Sequence, residues 1–292
     1  MLLAVTRTKV ALAMGLLIAL NLITFLSAYP SISNLETACC ASGQFAARDF
    51  SAYYVGLWRL LHDPTQVYSH GFVADGEIHV FPTQEQYKYL PSFLLMTSPL
   101  LPLGYQQAIV VFDVFQFLLL LPIGLLIYLL VKHKGSAATI AMGVVVLLAP
   151  APAPGWALSV PYFWLWKEGQ AKVLETFMLL LSFYLGKRGL PYPSGLVFGL
   201  SCFDPRFGLI ALPVFIMYNR TRISPSGVAL ISTLAVSNAP LIIFPQMGAG
   251  FLQMVFTTGI PTVFYPYALI PLFAVASLWL LNRKEMASAW RL

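Results

Sequence analysis

The stretch QQAIVVFDVFQFLLLLPIGLLIYLLV (106–131) indicates a membrane-spanning helix, because it is apolar over nearly its whole length and holds a single acidic or basic residue, Asp113. A helix that crosses a bilayer needs about 20 consecutive, mostly apolar residues. Further candidate spans are 10–28, 137–150, 172–186, 226–245 and 262–281, together with the region 194–218. The pattern predicts an all-α, polytopic transmembrane helical bundle.

The composition excludes an ordinary water-soluble domain. Hydrophobic residues make up 59% of the chain and charged residues 10%, whereas soluble domains carry roughly 25% charged residues; the mean hydropathy is +0.77. The net charge of +6 comes without a stacking or Gly-rich basic motif, so we expect no nucleic-acid partner. The three cysteines make no disulfide framework or ligand cluster, and no Asp-x-Asp pair is present, so we expect no metal and no cofactor.

The basic residues predict the orientation. Short loops rich in Lys and Arg stay on the cytoplasmic side of a membrane. With a cytoplasmic N-terminus, most of the 17 basic residues fall on that side, and nearly all acids fall on the outer side or in its half of the membrane. The cytoplasmic loops are then those that hold Arg7/Lys9, Lys132/Lys134, Lys187/Arg188, Arg220/Arg222 and Arg283/Lys284/Arg291.

This orientation requires the region 194–218 to enter the membrane and return. Its middle reads FDPR (203–206), and a proline there would break a continuous helix. We therefore predict two half-helices, 194–203 and 206–218, that meet at a polar tip on the outer side.

The remaining layout follows as one integral-membrane domain, 1–292, in the cell membrane. The run 10–28 has Arg7 and Lys9 ahead of it, as a cleaved signal peptide also would, but its length favours a retained signal anchor. The parts are the first transmembrane helix 10–28, the external loop 29–90, the remaining membrane helices 91–281 and a cytoplasmic tail 282–292.

The stretch ARDFSAYYVGLWRLLHDPTQVY (47–68) predicts an amphipathic interfacial helix over 49–61 in that loop. Its apolar residues recur at helical spacing and Pro64 lies beyond its end. The helix is too short to span, so we expect its apolar stripe to face lipid or the bundle. Asp49 has two interpretations: a helix cap at the first turn, or a functional carboxylate at the outer face.

Several motifs in order resemble glycosyltransferase family 87. They are Asp-Phe-x-x-Tyr-Tyr (49–54), Asp-Pro…Val-Tyr (63–68), Tyr-x-Tyr-x-Pro…Ser-Pro (87–99), Gly-Gln (169–170) and Gly-Leu-x-x-Gly-Leu (195–200). The resemblance covers roughly 10–245. It implies a GT-C-like fold with about seven to nine membrane helices, short re-entrant ones included, and transfer of a mannose- or pentose-like sugar from a polyprenyl-phosphate donor to a glycolipid or glycan acceptor outside the cytoplasm.

The resemblance also implies roles for residues. The aspartate of the first external loop, here Asp49, is the presumed general base. The family usually has a lysine and then a proline after the Gly-Leu run, where this chain has Phe-Asp-Pro-Arg, so Arg206 takes the place of the phosphate partner. The remaining predicted site residues are Lys172 and Lys167 for the phosphate, and Tyr53, Tyr54, Tyr87, Tyr89, Gln170 and Asp204 for the substrate.

Alternatives remain open at this point. Asp113 is either functional, as ionisable groups inside membranes often are, or a hydrogen-bonded structural aspartate. Glu175 is predicted to pair with Lys172 at (i, i+3). The altered tip also fits a non-catalytic GT-C-like subunit of a larger membrane complex, with other subunits and membrane lipid as partners. A transporter or flippase is less favoured, because the halves show no internal repeat.

Overall fold

A computed structural model describes residues 48–69, 87–131, 169–259 and 274–282, together with the single positions 12, 15, 19, 23 and 26. Over these residues the fold is all-α, without a strand. The α-helices are α1 (Arg48–His62), α2 (Pro91–Thr97), α3 (Tyr105–Val131), α4 (Lys172–Lys187), α5 (Pro191–Ser201), α6 (Pro205–Asn219), α7 (Ile223–Ser237), α8 (Pro240–Ile243) and α9 (Pro245–Met254). Residues 274–282 are also helical.

The predicted span 106–131 corresponds to α3. Among the described residues α3 is the one helix that is long and apolar enough to cross a membrane, and half of its most apolar part is buried inside the protein. Its other face exposes apolar side chains, among them Phe115, Leu118 and Leu125. The helix is therefore suited to contact protein on one side and an apolar medium on the other.

α1 confirms the helix predicted over 49–61 and shows where its apolar stripe goes. Phe50, Tyr53, Tyr54 and Leu57 are all buried against the rest of the protein. Small residues on the other sides of the helix, such as Ala52, are buried as well. Of the two predicted surroundings for the stripe, lipid or the bundle, the structure has the bundle.

α3 and α4 lie side by side and run parallel. Near the start of α4, the side chain of Gln116 in α3 accepts a hydrogen bond from the backbone N–H of Leu174 at 3.5 Å. At the other end the ammonium of Lys187 donates to the carbonyls of Leu129 and Leu130 at 3.0 and 2.9 Å. A lysine at that position satisfies carbonyls that the last turn of α3 leaves without a helical partner.

α5 and α6 form the predicted hairpin. Asn219, at the end of α6, donates from its side chain to Oγ of Ser194 near the start of α5 at 2.9 Å. Phe198 and Phe215 stack between the two arms with their ring centroids 4.3 Å apart. Both helices begin with proline, which is favoured at the first helical position because its missing N–H has no partner there. The helices consequently start at Pro191 and Pro205 instead of at 194 and 206.

The hairpin gives the bundle two distinct ends. Its apex, residues 202–204, lies next to the first turn of α4. We call this end of the bundle the apex end. The opposite end carries the exposed residues Lys187, Arg188, Arg220 and Arg222, and Arg222 donates to the carbonyl of Gly189 at 2.8 Å. Region 194–218 therefore folds back on itself, and the two loops 187–188 and 220–222 lie at the same end of the bundle.

α5 also packs very closely against α7 along its two glycines. A β-carbon on Gly195 would collide with the backbone carbonyl of Ser226, and one on Gly199 would lie 2.8 Å from Cβ of Thr233. We call this contact the glycine seam. The Gly-Leu-x-x-Gly-Leu motif thus brings two helix backbones together, which is the usual effect of small residues spaced four apart.

The prediction of one continuous span over 226–245 is wrong. The first helix there, α7, ends at Ser237, and Pro240 and Pro245 each begin a new short helix. A proline lacks the N–H that would continue the preceding helix, so the chain turns at Asn238 and again at Phe244. The predicted spans 10–28 and 262–281 are described only at the single positions above and at 274–282, and 137–150 lies outside the described residues.

A cluster of aromatic rings holds α1, α2 and α3 against the hairpin apex. Phe93 of α2 lies at its centre, with ring centroids 4.8 Å from Tyr53, 6.4 Å from Phe112 and 4.7 Å from Phe203. Phe50 adds a contact of 5.2 Å to Phe112. Aromatic pairs at these separations are attractive beyond their buried area. The aromatic cluster therefore fixes α1 and α2 next to the apex.

Candidate functional site

The candidate site begins with the turn at the hairpin apex. Asp204 precedes Pro205 and caps α6, because its Oδ1 accepts the backbone N–H of Arg206 at 3.3 Å. The backbone of the preceding residue, Phe203, accepts a hydrogen bond from Leu90 at 2.8 Å. The apex is thus attached directly to the segment 87–90 that precedes α2.

Four charged side chains meet at this apex. Nζ of Lys172 lies 2.7 Å from Oδ2 of Asp204 and 2.8 Å from Oε2 of Glu175. Arg206 holds the same aspartate with two hydrogen bonds of 2.7 Å, from Nε to Oδ1 and from NH2 to Oδ2. We call these four residues the ionic cluster. It contains two positive and two negative side chains.

Exposure separates Arg206 from the rest of the ionic cluster. The side chains of Lys172, Glu175 and Asp204 are 2% exposed or less, whereas that of Arg206 is 21% exposed. The Lys172 ammonium lies 4.3 Å from the ring centroid of Phe207 and 5.3 Å from that of Tyr89. Among the four, Arg206 is therefore the side chain that a ligand can reach from outside.

The cluster also leaves one polar atom without a partner. Oε1 of Glu175 is buried and accepts no hydrogen bond from the residues that the structure describes. The predicted (i, i+3) pair of Lys172 and Glu175 is confirmed by the 2.8 Å contact. The sequence did not indicate that Asp204 would join this pair, because 32 positions separate Asp204 from Lys172.

Tyr89 lies within electrostatic reach of both the ionic cluster and Asp49. Burial is the main effect that raises the pKa of the Tyr89 phenol. The carboxylates of Asp204 and Asp49 raise this pKa further, and the ammonium of Lys172 lowers it. Asp49 itself is in the first turn of α1 and is partly exposed. Asp49 and Lys172 therefore both influence the pKa of this buried phenol.

The predicted substrate tyrosines form a buried wall. The hydroxyl of Tyr53 donates to that of Tyr89 at 3.3 Å. The hydroxyls of Tyr54 and Tyr87 donate to the backbone carbonyls of Leu103 and Leu90 at 2.6 and 2.9 Å. All four rings are at most 5% exposed. In this arrangement they support the site by packing, and two of the hydroxyls are bonded to the backbone.

The Gly-Gln motif lies where α1 meets the start of α4. Gly169 has φ +67, a left-handed conformation that favours glycine. A β-carbon on it would lie only 2.6 Å from Cβ of Phe50, so the missing side chain lets α1 approach. Gln170 is 2% exposed. The predicted phosphate contact Lys167 lies outside the described residues.

Two further buried polar residues lie on α3, Asp113 and Gln116. Neither carboxylate oxygen of Asp113 has a hydrogen-bond partner among the described residues, and the same is true of Nε2 of Gln116. Among the described residues, no donor supports the interpretation of Asp113 as a hydrogen-bonded structural aspartate. Gln116 is not among the residues predicted from the sequence, although a polar residue three positions after Asp113 in an apolar run is a signal for a shared polar face.

The described residues contain no group of three or more His, Cys, Asp or Glu side chains that could hold a metal ion. Comparison with known proteins finds no matching family model, no matching curated protein and no matching solved structure. The candidate site offers a partly exposed guanidinium that a carboxylate orients, and a second carboxylate, that of Asp49, lies at the same end of the bundle.

Proposed function

We propose that the protein is a polytopic membrane glycosyltransferase. It transfers a mannose- or pentose-like sugar from a polyprenyl-phosphate donor to a glycolipid or glycan acceptor on the extracytoplasmic face of the cell membrane. The motifs that resemble glycosyltransferase family 87 support this proposal. The observation that carries it is geometric. Helix α1, which has Asp49 in its first turn, is bonded to Tyr89 through the hydroxyl of Tyr53 at 3.3 Å, and the Tyr89 ring lies 5.3 Å from the Lys172 ammonium of the ionic cluster.

The membrane arrangement is part of the proposal. The N-terminus is cytoplasmic, the exposed basic end of the bundle faces the cytoplasm, and the apex end faces outward. This is supported by the clustering of Lys187, Arg188, Arg220 and Arg222 at one end of the bundle, as the positive-inside rule expects. The exposed apolar side chains of α3 then contact membrane lipid.

In the proposed reaction the acceptor hydroxyl attacks the anomeric carbon of the donor sugar. The new bond joins the acceptor oxygen to that carbon, and the bond from the carbon to the phosphate oxygen breaks with its electron pair. The acceptor proton passes to Asp49, and the product phosphate remains on the polyprenyl chain. A general base of this kind contributes roughly 10²- to 10⁴-fold to the rate.

Arg206 provides the positive charge for the departing phosphate. Negative charge grows on that group as the bond breaks, and a fixed guanidinium stabilises it more in the transition state than in the bound donor. The wall of tyrosines supports this site from the side of α1 and α2. No metal is part of the proposed mechanism, because a polyprenyl phosphate is already a good leaving group.

The test is sugar transfer by purified protein in lipid nanodiscs, with a polyprenyl-phosphate sugar as donor. Asp49→Asn removes the base with little change in volume, and we expect a loss of about 10²-fold or more. Asp63→Asn is the matched control, because Asp63 is an exposed aspartate just beyond the same helix. If Asp49→Asn protein keeps most of the wild-type rate, the assignment of the base is wrong.

One observation favours a second candidate, a non-catalytic GT-C-like subunit of a membrane complex. The ionic cluster already pairs both of its cations with carboxylates inside the protein, as a purely structural network would. Purification from native membranes distinguishes the two. Stoichiometric partner subunits together with the absence of transferase activity in the purified chain would favour the subunit.

A further inference from the structure

We propose that Asp204 and Lys172 are positioning residues for Arg206, and that Arg206 is the one member of the ionic cluster that contacts a donor phosphate. This inference rests on the proposed function and assigns different roles to three residues that the sequence groups together. Lys172 is predicted from the sequence to grip the phosphate directly. Its contacts support an indirect role instead.

The contacts with Asp204 fix the orientation of the Arg206 guanidinium. Asp204 accepts from Nε through Oδ1 and from NH2 through Oδ2, both at 2.7 Å. Two parallel hydrogen bonds to one carboxylate hold the planar guanidinium in a single plane and direction. A single contact would leave the group free to rotate.

Lys172 in turn fixes the carboxylate of Asp204. Its ammonium donates to Oδ2 at 2.7 Å and is anchored from the other side by Glu175 at 2.8 Å. Asp204 is also held by the backbone N–H of Arg206 at 3.3 Å. The carboxylate that orients Arg206 is therefore itself held by contacts from two helices.

The exposures of the two cations decide which one meets the ligand. The Lys172 side chain is 2% exposed, and its ammonium is enclosed by two carboxylates and the ring of Phe207. The Arg206 side chain is 21% exposed. A phosphate on a lipid can reach Arg206 without rearranging the cluster, whereas reaching Lys172 would require a buried ion pair to be broken.

Binding of undecaprenyl phosphate to protein in phosphatidylcholine nanodiscs tests this inference. We expect Asp204→Asn and Arg206→Gln each to weaken binding by about tenfold or more, since both remove an oriented, charged hydrogen bond. The double variant is expected to bind no more weakly than Arg206→Gln. The inference would be overturned if the losses of affinity in the two single variants multiplied in the double variant. Such a result would mean that Asp204 affects binding independently of Arg206.

The chain offers a closely matched control. Asp63 also precedes a proline and caps the next turn, with its Oδ1 3.2 Å from the backbone nitrogen of Thr65, but it is exposed and lies away from the ionic cluster. Asp63→Asn removes the same kind of cap and is expected to bind undecaprenyl phosphate as the wild type does. If Asp63→Asn weakens binding as much as Asp204→Asn does, the loss of affinity comes from the loss of a helix cap, and the inference is wrong.

A second variant keeps the inference testable where Asp204→Asn fails to fold. Arg206→Lys retains the positive charge at a partly exposed site but replaces the two-point contact with a single ammonium. We expect it to bind undecaprenyl phosphate about tenfold more weakly than the wild type. Wild-type affinity in Arg206→Lys would show that orientation is irrelevant. Wild-type protein that binds no undecaprenyl phosphate and transfers no sugar would instead overturn the proposed function.

Discussion

Nζ of Lys172 lies 2.7 Å from Oδ2 of Asp204, although 32 positions separate the two residues in the chain. This contact connects the start of α4 to the apex of the α5–α6 hairpin. Both groups are almost completely buried, so each charge offsets the cost of removing the other from water. The apex conformation and the position of α4 are therefore coupled.

Lys172→Met tests that coupling. The substitution leaves the carboxylates of Asp204 and Glu175 buried without their shared cation, and breaking a buried pair in this way costs about 3–5 kcal/mol. We expect the free energy of unfolding in detergent to fall by that order. Lys187→Met is the control at the other end of the same helix, where the side chain is exposed. Equal losses for the two variants would contradict the prediction.

Gly169→Ala tests the close approach of α1 to α4. Gly169 has φ +67 and Gly189 has φ +73, so alanine is strained at both positions, by about 1–2 kcal/mol. Only at Gly169 does the new methyl group also collide, since it lies 2.6 Å from Cβ of Phe50; at Gly189 the nearest atom is 4.0 Å away.

We therefore expect Gly169→Ala to lower the thermal unfolding midpoint clearly more than Gly189→Ala does. The difference between the two variants measures the collision, because the backbone strain is common to both. Sugar transfer by the two variants gives a second comparison, since displacement of α1 also moves Asp49. The same midpoint for both variants would show that α1 can shift without cost.

Gly195→Ala tests the glycine seam. Its methyl group would meet the backbone carbonyl of Ser226, which cannot rotate away as a flexible side chain does, so α5 and α7 would have to separate. Gly227→Ala, on α7, meets nothing within 4 Å and is expected to stabilise the protein by about 1 kcal/mol through helix propensity. Opposite signs in the free energy of unfolding are the expected result, and a stabilising Gly195→Ala would contradict it.

Tyr87→Phe tests the stability of the buried tyrosines at alkaline pH. Burial raises the pKa of Tyr87 well above its ordinary value of 10.0. In the unfolded chain the phenol ionises near that ordinary value, while the folded protein keeps it neutral. The contribution of Tyr87 to stability is therefore fully present below pH 10.0 and decreases as the pH rises through the folded-state pKa.

Tyr87→Phe should accordingly lose stability less steeply than the wild type above that pH. At neutral pH the variant should be less stable by about 0.5–1.5 kcal/mol, because the hydrogen bond to the carbonyl of Leu90 is lost. The measurement is unfolding by denaturant at a series of pH values. Identical slopes for the two proteins would show that Tyr87 does not contribute to the alkaline transition.

The parts of the fold that the sequence predicted carry strong local signals. The hairpin follows from a proline after Asp204 together with basic residues that had to share one side, and the helix over 49–61 follows from its spacing and from Pro64. The break after Ser237 also has local signals, because Pro240 and Pro245 each begin a new helix. The prediction of a single span over 226–245 gave more weight to the apolar residues on either side of these prolines.

The parts that could not be predicted depend on contacts between distant positions. Nothing near Lys172 in the chain indicates that Asp204 will be its partner, because the packing of the helices determines which cation lies next to a carboxylate. The same holds for Gly169 and Phe50, whose contact exists only because α1 is enclosed by the bundle. The prediction of Lys172 as a phosphate contact followed from its charge alone, and burial is what changes its proposed role.

The glycine seam has a mechanical consequence for the hairpin. With Gly195 and Gly199 in close contact with α7, sliding of α5 along α7 would drive one backbone into the other, and the stacked rings of Phe198 and Phe215 oppose separation of the two arms. This packing opposes any change in the height of the apex within the bundle. Under the proposed function, a lipid-linked donor therefore has to reach Arg206 by its own lateral diffusion, because the hairpin is braced against movement toward it.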